Sequence, residues 1–299
     1  MSLQRFLALS RSTHGVLDIA MPGFVALLWL GRFPDGSVLA ICLVTALAGY
    51  TAIYALNDLI GFRDDKEKVA DGIKPGYAVE ASSSRYPLAQ GLLSLRQGWA
   101  WFGFWFALAV AGIWLLNPRV LLILAVAAAL EVAYVKLLKV SWWRTVVSAL
   151  VKSAGPVAAV YAVVPDPAWP GLLLLLAWLM PWEIAGQNIP ADWNDLEEDR
   201  RLGARTIPLR FGLRVASGVV LLGLATTTLL SLTLPRLSPL ALGWAFPLAA
   251  LLIGGWLLLW PAWRLARTLD GRDAARLFDR ASLYPLALLA LITGFVLLA

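Results

Sequence analysis

Long apolar stretches at approximately 16–31, 37–57, 98–116, 119–138, 142–164, 170–189, 214–233, 238–263 and 281–299 alternate along the chain with shorter polar segments. A helix needs about 20 mostly apolar residues to cross the hydrocarbon core of a bilayer. Lipid offers an open backbone no hydrogen bonds, so helices or a closed barrel are the only spanning structures. Continuous apolar runs, without period-two alternation, select helices. The pattern predicts an all-α polytopic membrane protein with nine transmembrane helices in one bundle. No Ser/Gly linker or separate polar segment divides residues 1–299, which predicts a single domain.

If nine helices alternate in direction, the N-terminus and the loops after the second, fourth, sixth and eighth helices share one side of the membrane. That side carries 21 of the 25 Lys and Arg residues, against Arg32, Arg119 and Arg236 opposite and Lys152 inside the fifth helix. The positive-inside rule makes the rich side cytoplasmic. The expectation is a multi-pass protein of the cell (inner) membrane with its N-terminus inside. The acidic residues, which the rule leaves unconstrained, gather on the same side in the two longest loops. One holds Asp58, Asp64, Asp65, Glu67, Asp71 and Glu80, the other Asp192, Asp195, Glu197, Glu198 and Asp199. They form a cytoplasmic cap of two acidic loops separated by four helices, which suggests two similarly built halves.

Composition agrees with lipid as the solvent: 60% of residues are hydrophobic and 15% charged, with a mean hydropathy of +0.74, whereas soluble domains are about one-quarter charged. The net charge of +6 is spread between apolar stretches and forms no aromatic-interleaved patch, so it reads as topology and not as nucleic-acid binding. Cys42 is the single cysteine and His14 the single histidine. They exclude an intrachain disulfide and make a multi-cysteine or two-histidine metal site or a Ser-His-Asp triad a poor reading. His14 is expected to be structural or interfacial. The first apolar run contains Asp18 and Pro22 and no clear cleavage site, so it is expected to stay attached.

The first acidic cluster, Asn57-Asp58-Leu59-Ile60-Gly61-Phe62-Arg63-Asp64-Asp65, directly follows an apolar helix. Positions i and i+7 lie within about 20° on a helix, so Asp58 and Asp65 face one way if the helix continues. In the second, Asp192, Asp195 and Asp199 fall at i, i+3 and i+7 and share a face. Magnesium prefers oxygen ligands, keeps several waters and is commonly held by one or two carboxylates plus substrate phosphate. Two clusters with this spacing, on one side of the membrane, suit a metal-complexed diphosphate better than an all-protein metal cage. One such run alone would read as a solvated loop.

These motifs resemble those of the UbiA superfamily of intramembrane prenyltransferases, N-D-x-x-D-x-x-x-D after the second helix and D-x-x-D-x-x-x-D after the sixth. The second motif matches in full, and Arg200-Arg201-Leu202-Gly203-Ala204-Arg205-Thr206-Ile207-Pro208 is similar to the family's continuation. The first departs at Gly61, where the family has its middle aspartate, with Asp64 nearby as a partial substitute. Arg85-Tyr86-Pro87-Leu88-Ala89-Gln90-Gly91 is similar to an R-P-L-x-x-G segment with one residue inserted. The resemblance covers essentially the whole chain. It implies that Asn57, Asp58 and Asp65, with Asp64, hold one Mg2+ (Mn2+ as a substitute), and that Asp192, Asp195 and Asp199 hold another. It further implies that Arg63, Lys66, Arg85, Lys139, Arg200 and Arg205 neutralise an isoprenyl diphosphate, with Asn188 as a further substrate-binding residue. Lys139, after Tyr134, and Arg85 match the family pattern best.

Within the apolar stretches, Lys152, Glu131 and Glu183 are costly to bury and are therefore functional candidates. Glu131 and Glu183, near helix ends, are expected to snorkel to the cytoplasmic interface, and Lys152 to be ion-paired or in the cavity. Trp142, Trp143, Trp260 and Trp263 are expected in an interfacial belt. The implied reaction ionises the diphosphate with metal and basic groups, and a hydrophobic or aromatic acceptor captures the allylic cation. Two alternatives stay open: a UbiA-type terpene cyclase, in which the substrate's own double bond captures the cation, and a transporter using Lys152.

Overall fold

A computed structural model describes residues 3–70 and 85–299. Asp71 and Glu80 of the first acidic loop lie outside the described residues. Every regular element among the described residues is helical. Among the described residues, seven helices are long and apolar enough to cross a membrane: Gly36–Val69, Leu95–Leu116, Arg144–Val163, Trp169–Asn194, Leu213–Leu237, Ala245–Thr268 and Gly271–Leu298. The number becomes eight if Leu3–Leu9 and His14–Leu30, bent by 53°, form one span. The helix Val120–Lys136 has 17 residues, about 26 Å at 1.5 Å per residue against a hydrocarbon core of about 30 Å. By length and composition seven helices among the described residues qualify as spans, or eight with the bent pair, where the sequence pattern predicts nine.

Local sequence explains where several helices begin. Ser94 and Gln97 cap each other's backbone at the start of Leu95–Leu116. Asp270 accepts from the Arg272 amide at 2.7 Å to start the last helix. The largest core cluster packs Phe24, Trp178, Leu224, Phe246 and Leu288, all fully buried, from five different helices. Gly223 lets the Leu213–Leu230 helix approach the chain at Pro181–Ala185, because a Cβ there would stand 2.7 Å from that of Ala185. Large apolar side chains such as Leu122, Leu222 and Trp244 point outward with 70%, 71% and 89% of their surface exposed. That is an inverted exterior, suited to lipid.

One helix is distorted where the site lies. Trp169–Asn194 contains a π turn over Glu183–Asn188, with the Ile189 amide bonded to the Ile184 carbonyl. Pro190 follows; it has no N–H, and its ring would collide with the carbonyl four residues earlier, at Gly186. Widening the turn removes that conflict. Single π turns recur at functional sites, and this one carries Glu183, Gln187 and Asn188 onto the wall of the central cavity.

Candidate active site

The first motif rides on the unbroken Gly36–Val69 helix. Asp58 and Asp65 therefore share a face, Asp58 is buried at 2% exposure, and the two carboxylates repel one another. Arg11, from the N-terminal segment, reaches both Asn57 and Asp58 at 3.5 Å. Asn57 donates its amide to Glu131 at 2.5 Å. Glu131 is buried with 6% exposure, so it does not snorkel as expected: it lines the cavity, where Asn57 gives it a hydrogen-bond donor.

The second motif follows the π turn. The helix is interrupted at Asp195, which has φ −94° and ψ 10°, yet the Asp195 and Asp199 amides keep their bonds to residues four earlier, so the three aspartates stay grouped. Asp192 Oδ1 lies 2.7 Å from buried Arg144. Asp195 receives Arg85 at 3.1 Å and Lys68 at 3.7 Å, and Asp199 receives Lys68 at 3.2 Å. Arg85 also binds Glu198 at 2.5 Å. Burial opposes ionisation of Asp195, but Lys68 and Arg85 outweigh it and hold its pKa below the ordinary carboxylate value. Asp199 moves the other way, raised by burial and by neighbouring Asp195 against the pull of Lys68.

Acid and base thus interleave. Lys68 belongs to the helix of the first motif and binds carboxylates of the second. The sequence alone does not set Lys68, Arg11 or Arg144 apart as site residues, because each also satisfies the positive-inside pattern. For Lys68 a signal was available: three residues after Asp65, it lies on the same side of the helix.

The other expected residues lie further out. Lys139 Nζ binds Asp64 at 2.8 Å and Glu67 at 3.0 Å, so Asp64 is turned to this outer cluster while Asp58 is buried. Arg63, Lys66, Arg200 and Arg205 are exposed; Lys66 lies over the Phe62 ring, and Arg205 donates to the Val140 carbonyl at 3.2 Å. The residue inserted before Pro87, Tyr86, takes a left-handed backbone with φ 59° and is buried. Arg85 lies 4.9 Å above its ring and Lys68 5.8 Å.

Beneath the two motifs opens a cavity of 610 Å³. Its polar wall includes Arg11, His14, Asn57, Glu131, Lys152, Glu183 and Asn188; most of the rest is apolar, as at Leu43, Ile113 and Leu124. Lys152 is both ion-paired and on the cavity wall: Asp18 holds its ammonium at 2.6 Å, and the Tyr54 hydroxyl joins both. His14 is buried 3.5 Å from Asp18. Glu183, 4% exposed, also fails to snorkel, because the π turn directs it to the cavity.

The model of the UbiA prenyltransferase family matches residues 19–295. The chain belongs to this family. A curated relative, the 4-hydroxybenzoate octaprenyltransferase of Hydrogenovibrio crunogenus, is 28% identical over 220 residues, 71% of each chain. Among solved structures, a UbiA homologue from Aeropyrum pernix K1 superposes with a TM-score of 0.73 at 18% identity, covering 96% of this chain and 98% of that one. A UbiA homologue from Archaeoglobus fulgidus bound to DMAPP and Mg2+ gives 0.71 at 16%, covering 99% and 100%. At such identities these structures establish the shared fold. Within the UbiA family frame, Gly61 stands beside Asp65, where an added Cβ would meet Asp65 Oδ2 at 3.3 Å.

Proposed function

We propose that the protein ionises an isoprenyl diphosphate with Mg2+ and transfers the prenyl group to an acceptor, an aromatic quinone or lipid precursor. The observation that carries this reading is the juxtaposition of two carboxylate motifs, interleaved with Arg11, Lys68, Arg85 and Arg144, above a largely apolar cavity. The carboxylates suit a hard cation. Asp192 Oδ2 is a buried oxygen without a hydrogen-bond partner, and the donor set is all oxygen. Among the described residues no three acidic, histidine or cysteine side chains are grouped so as to hold a metal ion by themselves; Arg144, Lys68 and Arg85 engage the second-motif carboxylates instead. Substrate phosphate would complete the coordination.

In this reading Asn57, Asp58 and Asp65 hold one ion and Asp192, Asp195 and Asp199 the other. Bound Mg2+ supplies Lewis-acid charge to the leaving diphosphate. Arg85 and Arg144, now matched to Glu198, Asp195 and Asp192, turn to phosphate oxygens, which an arginine can take two at a time. Lys68 adds a point charge. Lys139, Arg63, Lys66, Arg200 and Arg205 supply an outer positive field that guides the anion in. The prenyl tail lies against the apolar wall, where water is excluded and the allylic cation survives until the acceptor captures it. The rings of Tyr54 and Tyr134, on the cavity wall, present faces that stabilise a cation.

The same reading includes nine membrane crossings in a single domain over residues 1–299, with a slightly short Val120–Lys136 helix as one crossing. The two acidic motifs form a cap on the cytoplasmic face of the cell membrane, which the charge segregation supports. The test incubates purified protein with labelled prenyl diphosphates, with and without acceptors, in Mg2+ or chelator. Acceptor-dependent, Mg2+-dependent release of diphosphate is expected. Acceptor-independent hydrocarbon would make it a cyclase, and full activity in excess chelator would refute the diphosphate mechanism.

A further inference from the structure

The cavity wall has an unusual charge balance for a site that must receive an acceptor. Two cations face it, Arg11 and Lys152. Both are committed: Arg11 to Asp58 at 3.5 Å, and Lys152 to Asp18 at 2.6 Å. Asp58 and Asp18, which hold those cations, are not among the residues of the wall; its own carboxylates are Glu131 and Glu183, and neither is ion-paired to Arg11 or Lys152.

Glu183 is the least satisfied of these groups. It is 96% removed from solvent, its Oε2 has no hydrogen-bond partner, and the π turn before Pro190 brings it to the wall. Its neighbour on the same turn, Asn188, likewise presents an unpartnered Oδ1. A buried acceptor atom left without a donor is costly, and a ligand that supplies the donor recovers that cost. These two oxygens ask for a hydrogen-bond donor such as a hydroxyl. An anion brought beside Glu183 would add a second acidic group at low dielectric, with the ammonium of Lys152 already matched to Asp18.

We propose that the acceptor is an uncharged phenol or hydroquinone whose hydroxyl donates to Glu183, and that this cavity discriminates against free aromatic carboxylates. The inference rests on the prenyl-transfer reading and names its acceptor class. It departs from the aromatic acid for which the Hydrogenovibrio crunogenus relative is named.

Binding can be measured apart from chemistry. Equilibrium dialysis of the purified full-length protein in detergent, at neutral pH, compares 4-hydroxybenzamide with 4-hydroxybenzoate, a matched neutral and anionic pair. The expected result is at least tenfold tighter binding of the amide by the wild type, and a ratio falling to within about threefold in Glu183→Gln, which keeps the size but removes the charge. A residue with only a structural role would weaken both ligands alike. Equal binding, preference for the benzoate, no binding of either, or a ratio unmoved by Glu183→Gln would each overturn the proposal. Cleavage of geranyl diphosphate in Mg2+ is assayed in parallel. Cleavage with a benzoate preference sinks the acceptor inference alone. Amide preference without any prenyl-diphosphate cleavage sinks the transferase reading and leaves the cavity's charge selectivity standing.

Discussion

Lys68 Nζ lies 3.2 Å from Asp199 Oδ1, joining the helix of the first acidic motif to the second motif. It is buried, and it also approaches Asp195 at 3.7 Å. Lys68→Met should leave those carboxylates facing one another without their central cation. Breaking a buried pair by removing one partner costs about 3–5 kcal/mol, so unfolding in chelator should move to clearly lower temperature. Millimolar Mg2+ should recover most of that loss by replacing the missing charge. Equal destabilisation with and without Mg2+ would show that Lys68 does not share the metal-binding carboxylates.

Tyr86 holds its ring between Arg85 and Lys68 at the expense of a left-handed backbone, uncommon for an aromatic residue. Tyr86→Gly relieves the backbone but removes the ring that fixes two cations. We expect KM for the prenyl diphosphate to rise several-fold with kcat changed less, and Tyr86→Phe to stay within about twofold of wild type, because the cation contacts use the ring face. Loss of activity in Tyr86→Phe would instead give the hydroxyl a direct role.

Much of this was legible in the sequence, and the exceptions have physical causes. Hydropathy located the apolar helices because lipid imposes one rule on long segments. The i, i+7 spacing placed Asp58 with Asp65 because the helix runs through them. It could not show that Asp64, one residue away, turns outward to Lys139. Nor did it show that Glu131 and Glu183 stay inside, since that depends on Asn57 and on a π turn forced by Pro190. Arg11, Lys68 and Arg144 were hidden for another reason: a cation that marks topology and one that binds carboxylate look alike in a sequence.

Gly61 offers a direct test of the metal. The Cβ of Gly61→Asp would contact Asp65 at 3.3 Å, closer than a relaxed contact, so Asp65 must give slightly. A third carboxylate there should destabilise the metal-free protein and tighten the Mg2+ dependence of turnover, as seen by titrating Mg2+ against activity and thermal stability. An unchanged metal constant with a sharply raised substrate KM would mean that Gly61 makes room for the substrate.

The topology predicts two accessible positions on opposite sides. In a protein with Cys42 replaced, Arg201→Cys should react only with reagent on the cytoplasmic side and Arg236→Cys only from outside; both native side chains are exposed. Labelling of position 201 from the outside would overturn the orientation and the location of the site together.

The unbroken helix from Gly36 to Val69 also sets the depth of the chemistry. Its 34 residues measure about 51 Å, some 20 Å more than the hydrocarbon core. Asp58 lies about 33 Å along this rod from Gly36, close to where the lipid tails end. Bilayer thickness therefore becomes a variable of the reaction. In a membrane a few Å thicker, the rod must tilt less or draw Asp58 toward the acyl chains, whereas a thinner one leaves the whole motif in the headgroup water. Reconstitution across a series of phospholipid chain lengths should show an activity optimum set by hydrophobic mismatch, even with every residue of the site unchanged.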